Sequence, residues 1–394
     1  MYETRSHWNN NTKITEVQIM KKIMMTISML LLATLLMACG KDKTVEDISD
    51  NVTPTTQPEV TVPAEDTTEE DTDTTEEVTE ETLTLQDYYP FQADMEYIYE
   101  GEGNEYAAFV WNIDFIDTAK NKIQTRTNNG GTETVRVIEL KDGKLSVVYI
   151  LNECYYRDNV MNATSSKEAE VLLMEPLVKG TKWTLADGRE RSISETEVNI
   201  ETPSGNYTAL EVTTESTDSI TKDYYAPKVG LVKSIFGAGD MEVTSTLSEI
   251  NSETPFAQNI DVFYPDADEK IYVEPMTLTF QTGDLTRDII QKAFRKKNAK
   301  ESYLPLISAN TIINYLYLGE DKIVYVDFSA EFVQEMNAGA GYESLILQSI
   351  TNTLGNYYGA QKVYITLDAK PYESGHILMK KGETFEVNMD VVVR

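Results

Sequence analysis

Lys322-Ile323-Val324-Tyr325-Val326-Asp327-Phe328 is a run of β-branched and aromatic residues between the turn Gly319-Glu320-Asp321 and Ser329. Such a run reads as a strand, and Thr311 to Leu318 across the turn reads as its hairpin partner. Downstream the period changes. Ile346, Ile350, Leu354 and Tyr358 recur at helical spacing, so a helix is expected over roughly Tyr342 to Tyr358 with that one face buried. Gly359 is placed to end it in the left-handed conformation. Lys362 to Leu367 then reads as a closing core strand. Working back towards the N-terminus, Leu285, Ile289, Ile290, Ala293 and Phe294 form a second helical repeat after Gly283-Asp284. Asp284 is the expected N-cap, and Arg295, Lys296 and Lys297 suit the negative end of the helix dipole. Ile260 to Tyr264 and Ile271 to Phe280 read as strands on either side of the turn Pro265-Asp266-Ala267-Asp268. The tail Phe385 to Val393 is expected to add an edge strand. Strands alternating with helices make 258–394 a small α/β unit.

The preceding stretch, 85–252, has a different pattern. Short alternating runs recur between turn signals, among them Met95 to Tyr99, Ala107 to Phe115, Lys122 to Thr127, Thr134 to Leu140 and Leu145 to Leu151. Asn128-Asn129-Gly130-Gly131 tolerates positive φ, and Asp142-Gly143 is a hairpin signal. One antiparallel sheet, curved or partly closed, is expected, with one short helix over Ser166 to Met174. The fold class is therefore α+β: an all-β curved sheet followed by the α/β unit.

N-terminal to both lies a segment with no folding pattern. Thr44 to Thr82 holds fourteen Asp or Glu and no Lys or Arg, a large part of a formal net charge of −31 over 394 residues. It cannot bury enough apolar surface to offset chain entropy, so 39–84 reads as a disordered, self-repelling spacer. The negative charge disfavours nucleic-acid binding. Lys21 and Lys22 precede the apolar run Ile23 to Leu35, the order of an export signal over 1–38, with Met20 the expected true start. The run is short for a spanning helix, which needs about 20 apolar residues. Leu36, Met37, Ala38 and Cys39 resemble the lipobox of bacterial lipoproteins. That resemblance implies cleavage before Cys39, a diacylglycerol on its sulfur, and a membrane partner reached through this lipid anchor.

Two further resemblances bear on function. Val262-Phe263-Tyr264, Lys322 to Ser329, Gly341-Tyr342-Glu343-Ser344-Leu345-Ile346-Leu347 with Ile350-Thr351-Asn352-Thr353-Leu354, and Lys362-Val363-Tyr364-Ile365 resemble the GerMN (sporulation and spore germination) domain of Gram-positive lipoproteins. The likeness covers about 130 residues and implies a ring-building-like α/β module. It departs from the family pattern at Lys297 to Leu306. In the β-rich stretch, Tyr88-Tyr89-Pro90-Phe91 and Tyr224-Tyr225-Ala226-Pro227 resemble modules of exported lipoproteins, similar in outline to curved sheets that cradle acyl chains.

Candidate chemistry is sparse. With one His, His376, beyond the signal, no site needing two histidines can form there. Ser329 could pair with His376 as a nucleophile, but its place before Ala330-Glu331-Phe332 is that of an N-cap. Glu331 and Glu335 share a helical face but are expected to be solvated. Asp266 and Asp268 lack the Gly and terminal Glu of a calcium loop. Cys154 has no nearby His and is expected to be a small buried residue. No catalytic residue, metal ligand or cofactor is assigned. The expected function is that of a non-catalytic, membrane-anchored lipoprotein on the outer face of a Gram-positive cytoplasmic membrane. It would act as an assembly or interaction factor in sporulation or germination, with envelope proteins or a second copy as partners. The alternative is a lipoprotein whose β-rich part holds an apolar or wall-derived ligand.

Overall fold

The computed structural model describes residues 82–165, 168–296 and 305–393. Cys39, the lipobox residues before it, the export signal and almost all of the acidic spacer lie outside the described residues. The first twelve strands are β1 (Glu96–Glu102), β2 (Phe109–Asp117), β3 (Lys122–Asn128), β4 (Glu133–Lys141), β5 (Lys144–Asn152), β6 (Glu170–Met174), β7 (Lys182–Thr184), β8 (Glu190–Thr202), β9 (Gly205–Glu215), β10 (Ile220–Ala226), β11 (Gly230–Ala238) and β12 (Met241–Asn251). They form one sheet in the order β6-β5-β4-β3-β2-β1-β12-β11-β10-β9-β8-β7. Two meanders are thus joined back to back through the antiparallel β1–β12 pair. Local chemistry sets the reversals. Asp142 and Gly143 both take positive φ, 52° and 66°, between β4 and β5, as a tight hairpin of right-twisted strands requires.

The sheet curls until its two edges meet. β6 and β7 form no ladder with each other. Instead the carbonyl of Val171 accepts from Trp183 Nε1 at 3.1 Å and from Arg191 Nη1 at 2.7 Å. Side chains therefore sew the seam of an otherwise hydrogen-bonded barrel. Tyr97, Ile123, Leu145, Leu173, Ile193, Val232 and Leu247 are buried inside it. The helix expected over Ser166 to Met174 is not there: Ser166 and Lys167 lie outside the described residues, and Glu170–Met174 is β6, paired with β5. Its residues are good helix formers, but an open ladder on β5 overrides a local preference worth only tenths of a kcal/mol per residue, about 0.7 at most.

Past the barrel, β13 (Phe256–Pro265) and β14 (Ile271–Phe280) form a hairpin, and β15 (Ile313–Leu318), β16 (Ile323–Phe328) and β17 (Lys362–Leu367) form a second sheet. β15 and β16 are antiparallel, while β16 and β17 run parallel, as the helical crossover between them demands. Short strands finish the edges: β18 (Lys370–Pro371) and β19 (Phe385–Glu386) on β17, and β20 (Val392–Val393) parallel to β14. The tail thus supplies two edge strands. Among the described residues the helices are α1 (Thr286–Arg295), α2 (Glu331–Gln334) and α3 (Ala340–Tyr358).

α3 packs on β13 on one side and on β16, β17 and β19 on the other. It is consequently buried nearly all round rather than along one face: Ser349, Thr351, Asn352 and Thr353 are fully buried together with Ile350 and Leu354. Their polar atoms are only partly satisfied. Thr353 Oγ1 donates to Ser349 O and accepts from Phe263 N, whereas Ser349 Oγ and Thr351 Oγ1 have no hydrogen-bond partner. Gly359 ends α3 with φ of 65°, as expected. The two expected side-chain caps do not form. α1 has Leu285 at its N-cap, and Asp284 instead accepts from Gln281 N at 2.9 Å. α2 has Ala330 at its N-cap, and Ser329 Oγ instead accepts from Ile312 N at 3.0 Å, which fixes the start of β15.

A buried ionic cluster ties the barrel to these layers. Asp114 on β2 is fully buried and accepts from Arg126 Nη2 at 3.3 Å and from Arg157 Nε at 3.2 Å. Arg157 also donates to Gln281 O and Asp284 O, and its guanidinium lies over the rings of Phe115 and Phe280, 4.4 and 4.8 Å from their centroids. Thr286 Oγ1 donates to Arg157 O, and Arg157 N donates to Tyr357 Oη. Asp114 and Phe115 belong to β2, while Phe280, Gln281, Asp284, Thr286 and Tyr357 belong to β14, α1, α3 or the β14–α1 loop. Burying these charges is tolerable because almost every donor has an acceptor.

Candidate functional sites in the barrel and the mixed sheet

Inward-facing side chains do not fill the barrel. They leave a cavity of about 420 Å³, lined from β1 to β6, β8, β10 and β11. Register places its aromatic wall: Tyr97 lies opposite Trp111 and Tyr99 opposite Phe109. The Tyr97 and Trp111 rings meet edge to face at 4.9 Å, and the Tyr99 and Phe109 rings stack at 4.1 Å. Tyr99 Oη is anchored on Leu231 O at 2.6 Å. Phe109 and Trp111 are only partly buried although they sit within the sheet, and Tyr89 in the segment before β1 is likewise half-buried; all three line the cavity.

The opposite wall is polar. Asp223 on β10 accepts from Ser234 Oγ at 2.6 Å, and burial pushes its carboxyl above the usual Asp range despite that bond and the nearby Arg191. Arg191 on β8 is itself buried and fully committed. Its Nε donates to Thr214 Oγ1 at 2.8 Å, its Nη1 to Val171 O and its Nη2 to Glu170 at 2.9 Å. Arg136 on β4, an exposed residue, lines the cavity, and its guanidinium has no hydrogen bond or ion pair among the described residues. A larger groove of about 1210 Å³ runs along the outside of the barrel past Gly143 and Pro176. It opens to solvent, and its charged neighbours Asp142, Lys144, Glu175 and Glu197 are all exposed, so nothing there orients a ligand.

The β15–β16–β17 sheet buries Leu316, Val324, Val326, Val363 and Ile365 towards the helices. Alternation turns tyrosines to its other face. Tyr317, Tyr325 and Tyr364 are direct register partners, with centroids 5.2 and 5.7 Å apart, and Tyr315 extends the row. Tyr317 is 45% exposed. Asp327 on the same face is buried and accepts from Asn314 Nδ2, Thr366 Oγ1 and Ala369 N, which locks the sheet rather than presenting a carboxylate to solvent.

The residues weighed as catalysts are dispersed. His376 Nδ1 lies 2.7 Å from Glu343 Oε2, not from Ser329. Glu343, which sequence reasoning did not single out, is buried at the head of α3. Burial pushes its carboxyl up, but hydrogen bonds from Ser374, Tyr372 and His376 outweigh this and hold it below the usual Glu range. Glu335 accepts from Asn310, and Asp266 accepts from the amides of Asp268 and Lys270 as an ordinary turn. Cys154 is buried, with burial pushing its thiol up to about 11, so it carries little thiolate at neutral pH. No cluster of three or more candidate metal ligands occurs among the described residues.

Residues 261–373 match the family model Germane, described as sporulation and spore germination, and this stretch is a GerMN-type domain. A solved structure of the first GerMN domain of the sporulation protein GerM from Bacillus subtilis is similar at 19% identity, over 34% of this chain and 98% of that one, with a TM-score of 0.26. The tandem GerMN domains of the same protein align at 17% identity and a TM-score of 0.24, over 32% of this chain and 45% of theirs, so the match spans less than half of that structure. A structure described as a "putative lipoprotein" from Parabacteroides distasonis aligns at 13% identity over 42% of this chain and 98% of its own, with a TM-score of 0.28. No curated protein matches the chain. Among the described residues no helix is long and apolar enough to cross a membrane.

Proposed function

We propose that this chain is an exported, lipid-anchored envelope protein that serves as a non-catalytic docking factor in sporulation or spore germination. The observation that carries the reading is the GerMN-type domain at 261–373. The export signal and Cys39 supply the address, and the acidic spacer lets the folded part stand off the membrane. The tyrosine row of Tyr315, Tyr317, Tyr325 and Tyr364 supports docking, since rigid amphipathic rings bind partners at low entropic cost. The test is a deletion strain of a spore-forming host, scored for heat-resistant spores and for germination. Wild type should restore both; Cys39→Ala and the double variant Tyr317→Ala/Tyr325→Ala should not. Normal spores in the deletion strain would defeat the reading. A second reading, ligand holding by the barrel, is favoured by one observation, the cavity lined by aromatic and charged groups together.

A further inference from the structure

The lumen cavity has three properties that narrow what it can hold. Its charged lining is balanced, with Arg136 and Arg191 against Glu170 and Asp223. An acyl chain would strip water from these groups and return no hydrogen bonds, so the polar wall argues against a lipid. A phosphorylated ligand asks for an excess of donors, yet Arg191 is spent on Glu170, Thr214 and the seam.

What is left uncommitted is one donor group and one acceptor. Arg136 has no hydrogen-bond or ion-pair partner among the described residues, and Asp223 uses only Oδ1, for Ser234, leaving Oδ2 without a hydrogen-bond partner among them. Arg136, exposed beside its register partner Ile150, and the half-buried Asp223 line the same cavity as Phe109 and Trp111. The matching chemistry is a small ring whose hydroxyls both donate and accept and whose C–H faces lie flat on aromatic surfaces. The mouth is marked by Tyr106 and Ile150, both exposed. Tyr106 leans over Gly131, where a Cβ would lie 2.6 Å from its ring, so this glycine is what allows the ring to rest on the turn.

We propose that the barrel lumen is a binding site for a neutral saccharide of one or two rings. Ring faces lie on Trp111 and Phe109, Asp223 accepts from hydroxyls, and Arg136 donates to them. This rests on the second reading above, that the barrel holds a ligand, and names the class of ligand.

Titration calorimetry on the full chain tests it, with N,N′-diacetylchitobiose as the saccharide probe and palmitate as the lipid probe. Saturable binding of the disaccharide is expected, weakened at least tenfold by Asp223→Asn and by Arg136→Ala and partly restored by Arg136→Lys. Arg136 is exposed and Asp223→Asn is nearly isosteric, so both variants should melt like wild type, which a thermal scan checks. Palmitate binding with no disaccharide binding overturns the saccharide assignment while leaving a ligand-holding barrel. Silence of both probes overturns both. Disaccharide binding that ignores the two substitutions places the sugar elsewhere and overturns the site.

Discussion

In the barrel, Phe109 and Trp111 stay partly accessible although they point inward, because they face a cavity of about 420 Å³. In the C-terminal layers, Phe280, Phe294 and Phe328 are at most 1% exposed, and even Ser349, Thr351 and Thr353 are shut in around α3. The first interior is hollow with a polar wall; the second closes around α3 and leaves the hydroxyls of Ser349 and Thr351 unpaired. A solid interior fixes the shape of an outer face, here the tyrosine row. A hollow one keeps room for something else. The contrast assigns recognition to the surface of one region and to the inside of the other.

The joint between the regions offers the largest way to break this picture. Asp114→Ala leaves Arg126 and Arg157 buried without their shared carboxylate, and about 3–5 kcal/mol of stability should be lost in urea unfolding. The hollow-versus-solid contrast is tested by truncating one ring on each side. Phe294→Ala should cost about 3–5 kcal/mol, the range for an aromatic in a packed core. Phe109→Ala should cost about 1–2 kcal/mol, less than the 1.5–3 of full burial, because part of the ring already faces open space. Equal losses would refute the contrast.

A pH titration sharpens the role of the joint. Asp158 accepts from Tyr358 Oη at 3.0 Å and from Leu318 N, beside Arg126 and Arg157, and burial raises its pKa to about 6 from the ordinary 3.8. The folded carboxyl therefore keeps its proton where the unfolded one has lost it. Its contribution to stability falls as pH rises from about 4 to about 6 and stays low above that, on the order of 2–3 kcal/mol. In Asp158→Asn that part of the slope should vanish from the pH dependence of unfolding. A further check on the packing is at Gly355, where a Cβ would meet Val387 Cγ2 at 2.2 Å and Ala360 O at 2.9 Å. Gly355→Ala should cost about 1–3 kcal/mol by overpacking, read as a lowered melting temperature.

Much of the fold is legible in the sequence because alternation and helical period are direct consequences of backbone geometry. The hairpin around Gly319, α3, β17 and the strands of the barrel other than β6 and β7 follow from them. What is not legible depends on neighbours distant in sequence. Val171 to Met174 looks like a helix until β5 offers it a ladder. Ser349 and Thr351 look solvated until a sheet closes on each side of α3. Asp284 and Ser329 look like caps, but other amides claim their oxygens. The candidate site was hardest to see. Glu170, Asp223, Arg136 and Arg191 sit in strands where a charged residue ordinarily means a solvent-facing position. Only the closure of the sheet makes some of them inward-facing. The one available signal is the density of Tyr and Trp between Tyr88 and Trp111, which marks an inner wall without saying whether it is filled.

The seam at Val171 has a consequence for solubility. An uncovered edge strand is a template on which another chain can build, and β6 and β7 are the only two edges of the twelve-stranded sheet. Trp183 and Arg191 occupy the Val171 carbonyl of the β6 edge, which an incoming strand would otherwise find open. They act as a stopper, so the barrel polices its own growth without ever completing its ladder.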